Sequence, residues 1–276
     1  MLTKFLSRAV GCFLLCMLLT NISLATDPRK IPPGRRCSMV EKHILDELGL
    51  AEDVNDTVII QLLDAPTTKR LRVISLVRYR RISSAVPKLL QIFNSDNDDI
   101  ISWLEKIQVA KALCDFGNKE WMPTIKALIE DPNSILNRGG LSESGKIAHK
   151  IDAAGLLARA GDYSQFEIVA SGIGSSEKPI RSDAIHALGN FGHKTDPVTD
   201  SAVGLLTSVA TSDSIPWLRE RAIESMEKIA KKKPEVEPKV IAALEANKDS
   251  SDEDLRRMCN AKLASYNKKL KEEESK

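Results

Sequence analysis

From residue 38 onward the chain alternates two kinds of apolar stretch, both spaced like a helix that buries one face. The first kind closes on glycine: Val109-Ala110-Lys111-Ala112-Leu113-Cys114-Asp115-Phe116-Gly117, Ala153-Ala154-Gly155-Leu156-Leu157-Ala158-Arg159-Ala160-Gly161-Asp162, and Ala184-Ile185-His186-Ala187-Leu188-Gly189-Asn190-Phe191-Gly192. Glycine suits that place because a helix often ends on a residue in a left-handed conformation. The second kind carries proline near its start, as in Val86-Pro87-Lys88-Leu89-Leu90-Gln91-Ile92-Phe93 and Met122-Pro123-Thr124-Ile125-Lys126-Ala127-Leu128-Ile129, which superimpose at an offset of 36. Proline fits there because N–H groups of a first turn have no carbonyl to bond.

Taking Arg81, Gly117, Gly161, Gly192 and Ala230 as equivalent points gives intervals of 36, 44, 31 and 38 residues. The unit is therefore a pair of helices written several times, and the longest interval holds the loop-like run Asp131 to Gly145. The pattern predicts six helix pairs at roughly 38–65, 67–95, 99–131, 145–174, 178–211 and 215–247, a closing helix at about 251–270, and a polar tail at 271–276. One pair cannot hide its apolar face, so successive pairs must stack into a shared core. Ala112, Ala154, Ala187 and Ala222 are expected to let helices approach, with Leu113, Leu157, Leu188 and Met226 filling the gaps between pairs.

Leu71-Arg72-Val73-Ile74-Ser75-Leu76 leading to Ala85-Val86-Pro87-Lys88-Leu89-Leu90, then Ile180-Arg181-Ser182-Asp183-Ala184-Ile185-His186-Ala187-Leu188-Gly189 and Leu218-Arg219-Glu220-Arg221-Ala222-Ile223, resemble HEAT repeats of the short bacterial type seen in phycobilin lyases. The resemblance spans roughly 67–247. It implies an all-α, right-handed α-solenoid of stacked antiparallel helix pairs, an armadillo-like superhelix over 38–270 whose second helices line the inner wall. It also implies a protein-interaction scaffold, although fold alone does not determine function. With Leu89, Phe93, Ile125 and Leu128 as core, the outward positions are Lys88, Gln91, Thr124 and Ala127, continued by Ser171, Ser208 and Ala242. The expected partner-binding residues are Lys88, Gln91 and Thr124, with Trp121 and Trp217 as contact anchors, since tryptophan is enriched at binding hot spots.

The first twenty-five residues change where this architecture is expected to work. Lys4 and Arg8 precede an unbroken apolar run, Ala9 to Leu19, and Ser23-Leu24-Ala25 offers small residues for cleavage, which is the plan of a secretory signal peptide. The run is too short to span a bilayer as a helix, and no later segment is long and apolar enough to do so. An exported protein, periplasmic or extracellular, is the expectation, with an uncleaved anchor as its rival. Residues 26–37, Thr-Asp-Pro-Arg-Lys-Ile-Pro-Pro-Gly-Arg-Arg-Cys, read as an extended leader. Of 40 Lys and Arg against 38 Asp and Glu, Lys4 and Arg8 leave with the signal, so the remainder is neutral. A neutral body argues against bulk binding to nucleic acid. Cys37, Cys114 and Cys259 remain, too few and too far apart for a disulfide scaffold.

Chemistry has few footholds. His149 with Asp152, and His186 with Asp183, lie three residues apart, where each pair is expected to hydrogen-bond locally on one helix face. No HxxxH, HExxH, GxSxG or phosphate-loop pattern occurs, so neither metal, cofactor nor catalytic residue is expected. A lyase-like, cofactor-handling HEAT enzyme is one alternative to the scaffold. An envelope binder of anionic glycan or lipid headgroups is another, suggested by the basic groups between Lys69 and Arg81, with Arg70, Arg78 and Arg81 as the docking patch.

Overall fold

A computed structural model describes residues 39–95, 100–131, 133, 134, 136, 140–192 and 197–274. The expected signal peptide, the leader, Cys37 and His193 lie outside them. Among the described residues there are thirteen α-helices and no strand: α1 Met39–Leu48, α2 Asp56–Gln61, α3 Thr67–Arg80, α4 Val86–Phe93, α5 Ile100–Asp115, α6 Met122–Glu130, α7 Glu143–Ala160, α8 Phe166–Ile173, α9 Lys178–Leu188, α10 Pro197–Ser212, α11 Pro216–Ala230, α12 Glu237–Glu245 and α13 Glu253–Glu274. The architecture is all-α, made of stacked helix pairs. Each of the six expected stretches holds two of these helices.

The chain divides into two compact units, one ending at Asn94 and one beginning at Ser95. The division falls within the polar run Asn94-Ser95-Asp96-Asn97-Asp98-Asp99 of the sequence.

In the first unit α3 is the central element, burying Leu71, Val73, Ile74, Leu76 and Val77. Arg80 ties α3 to the N-terminal part of this unit. Its Nε lies 2.7 Å from Glu41 Oε1, and its Nη1 and Nη2 donate to the carbonyls of Val54 at 2.5 Å and Glu52 at 2.6 Å.

In the second unit α5–α6, α7–α8, α9–α10 and α11–α12 are the pairs and α13 closes the stack. The first helices of neighbouring pairs pack directly, α7 on α9, α9 on α11 and α11 on α13. Ala112, Ala154, Ala187 and Ala222 are buried among Leu113, Leu157, Leu188 and Met226, as the repeat requires. α7 and α9 approach closely at Gly155, where an added Cβ would stand 2.7 Å from the Cβ of Ala187.

The points used to align the repeats are not all alike. Arg81, Gly117 and Gly161 close α3, α5 and α7 with φ of 56, 78 and 96°. Gly192 is not left-handed. It is small because it lies against Ile229, whose Cα would be 3.1 Å from an added Cβ.

Candidate functional site

Two surfaces of the second unit present side chains that can meet another molecule. On the second helices Thr124 and Ala127 of α6, Ser171 of α8, Ser208 of α10 and Ala242 of α12 are all exposed. They stand beside Ile125, Val169, Leu206 and Val240, which are buried, so the spacing that places one set in the core turns the other to water. In the first unit Gln91 is exposed on α4, while Lys88 is committed to Asp64 at 2.5 Å.

The first helices carry the charge, and much of it joins one pair to the next. Lys111 Nζ of α5 lies 2.7 Å from Asp152 Oδ2 of α7. Asp115 of α5 pairs with Arg159 of α7. Asn190, just beyond α9, donates through Nδ2 to the Gly155 carbonyl at 3.0 Å, and its Oδ1 accepts from Lys228 Nζ of α11 at 2.6 Å. Arg221 of α11 donates to Ser182 Oγ of α9, and Lys262 Nζ of α13 lies 2.5 Å from Glu227 Oε2 of α11. On the other layer Asn247 donates to the carbonyls of Ala210 and Ala243, both at 2.8 Å, and accepts from Arg219 Nη1 at 3.0 Å. The contacts that cross from one pair to the next join residues 35 to 44 positions apart, so the period of the sequence reappears as polar contacts between neighbours.

The expected local pairings of His149 with Asp152 and of His186 with Asp183 do not form. Asp152 reaches across to Lys111 instead, because an ammonium on the adjacent helix is a stronger partner than a neutral imidazole. His149, Asp183 and His186 make no hydrogen bond among the described residues. Their environments shift them all the same. Burial pushes Asp183 up to about 6, with the Asp152 carboxylate adding to it and Arg221 and Lys111 opposing. His186 is exposed as a residue, but burial of the part of its ring turned to the stack and the nearby Lys228, Arg221 and Lys111 cations hold it below its usual value. His149 falls below its usual value for the same primary reason. Burial also works on Asp152, whose side chain remains 42% exposed, but the Lys111 ammonium outweighs it and holds the carboxyl low. Among the described residues no three His, Cys, Asp or Glu side chains gather as a metal site.

Trp121 is not a contact anchor. It is 0% exposed, and its indole N–H donates to the Asn118 carbonyl at 2.8 Å. A large ring at the turn into α6 has a core to fill, and burial of its area outweighs any surface role. Trp217 is the opposite case, 45% exposed at the start of α11 with the Arg221 guanidinium 6.0 Å from its ring centroid. In the expected basic patch, Arg70 donates to Thr67 Oγ1 at 3.2 Å, Arg78 is half-buried, and Arg81 is exposed. Their neighbours Arg72 and Arg80 are held by Glu47 and Glu41 within the same unit.

A family model described as HEAT repeats matches residues 167–264. That range begins in α8 and ends within α13, so it lies further along the chain than the resemblance read over 67–247. No curated protein matches the chain. Among solved structures it is similar to an engineered protein at a TM-score of 0.40 and 15% identity, over 76% of this chain and 96% of the other. It is similar to human deoxyhypusine hydroxylase in complex with glycerol at a TM-score of 0.35 and 17% identity, over 94% and 99%. A designed armadillo repeat protein gives 0.37 and 14%, over 75% and 98%. Likenesses this distant carry no chemistry to this chain.

Proposed function

We propose that this protein is an exported, non-catalytic scaffold that binds another protein along the surface of its helix pairs. The observation that carries the reading is the use of the polar side chains in the second unit. Lys111, Asp152, Arg159, Asn190, Lys228, Asn247 and Lys262 are spent on joining successive pairs. The second helices meanwhile leave Thr124, Ser171, Ser208 and Ala242 open to solvent. A stack held in register by its own clamps offers a preorganised surface, and preorganisation lowers the entropic cost of association. Export follows from the plan of residues 1–25, and among the described residues no helix is long and apolar enough to cross a membrane.

The test is a photocrosslinking amino acid placed at Ser208 or Thr124 in the full chain, produced in the native host. The reading expects one crosslinked protein species at these positions and none from a probe at Arg257, on the outer side of the closing helix. Equal labelling from all three positions, or labelling from none, contradicts it.

A further inference from the structure

Resting on the scaffold reading above, we propose that the solvent face of α11 is a docking surface for a basic segment of the partner protein. Trp217 would receive a lysine or arginine side chain against its indole, with Glu220 and Glu224 flanking it.

Trp217 carries the argument. Trp103 and Trp121 are 4% and 0% exposed, whereas Trp217 leaves 45% of its surface in water. Among the described large apolar side chains of this unit only Ile147, at 41%, is comparable. Trp217, Glu220 and Glu224 lie three and then four residues apart, so they share one face of α11. The face of the indole already tolerates a cation, since Arg221 stands 6.0 Å from its centroid.

Charge selects the partner. Glu220, Glu224 and Asp183 form no ion pair among the described residues. Burial pushes Glu220 above the usual carboxylate range, and the carboxylates of Glu224, Asp254 and Asp252 push the same way against Lys262. Asp183 is raised similarly, by burial and by Asp152. Arg221 is the one cation of α11 that faces this group directly, and it is shared among Asp183, Glu224 and Glu220. The face therefore holds crowded negative charge beside an open aromatic ring. An incoming Lys or Arg relieves the repulsion and takes the cation–π contact, whereas an acidic segment meets repulsion.

The experiment uses the full chain, a peptide of repeated Ala-Lys-Leu units and an Ala-Glu-Leu peptide of equal length, with acrylamide quenching of tryptophan emission as readout. Because Trp103 and Trp121 are buried, Trp217 dominates the quenchable emission. The Lys peptide should shield it, with affinity falling about tenfold in the Glu220→Gln/Glu224→Gln double variant and again in high salt. Trp217→Ser should lose binding that Trp217→Phe largely keeps, read for these two variants by the fluorescence anisotropy of a dye-labelled Lys peptide because they lack the reporting indole. Circular dichroism of each variant checks the fold. Equal binding of the Glu peptide, or of spermidine in place of the Lys peptide, overturns the proposal, as does binding indifferent to the double variant. A partner captured by wild type and retained undiminished by the double variant overturns this surface and leaves the scaffold standing. Absence of both partner and peptide binding overturns the two together.

Discussion

At the scale of single residues, environment decides what identity leaves open. Trp121 and Trp217 both stand at the start of a helix, and nothing in their immediate sequence separates a core indole from an exposed one. The difference is made by what packs against them, which belongs to the fold. The histidine and aspartate pairs teach the same lesson. Their spacing is legible, but the ammonium that captures Asp152 lies forty-one residues away on Lys111. Asp183 binds its proton more tightly when folded, so its penalty is fully present above about pH 6 and disappears as pH falls toward 4. Asp183→Asn should therefore raise the melting temperature at pH 7.5, leave it unchanged near pH 4, and steepen the loss of stability in between. A variant with the wild-type pH profile, read by calorimetry, would contradict this placement of the carboxylate.

At the scale of helices, boundaries were the most legible feature, because turn residues mark them directly. Proline stands in the first turn of α6, α9 and α11, and glycine follows the last turn of α7 and α9, where the repeat places them. What the pattern hid was why a given glycine is there. Gly161 closes a helix in a left-handed conformation, as does Arg81 without being glycine. Gly155 sits inside a helix, where glycine weakens the element by about 1 kcal/mol relative to alanine. Its reason is contact: the Cβ and Cα of Ala187 crowd the place where a Cβ would go, at 2.7 and 3.2 Å. Gly155→Ala thus trades that propensity gain of about 1 kcal/mol against overpacking of about 1–3 kcal/mol, and overpacking wins. Denaturant unfolding should show a net loss of up to about 2 kcal/mol. A stabilised variant would mean that α7 and α9 are not pressed together at this point.

At the scale of the whole molecule, the repeat was readable because each copy must solve the same burial problem with the same residue sizes. The polar clamps were not, since each joins residues about one repeat apart and only the assembled stack brings them within reach. The division at Asn94 and Ser95 was partly visible as a polar run, yet the repeat pattern continues across it and favoured a single array. The proposed role is that of a binding surface with no reaction of its own, and co-purification from the native host tests that proposal most directly. The full chain, expressed with residues 1–25 in place and lightly crosslinked, should retain one dominant protein that the Glu220→Gln/Glu224→Gln variant holds less well. Recovery of the protein alone, or with a bound small molecule that it converts, would contradict the central claim.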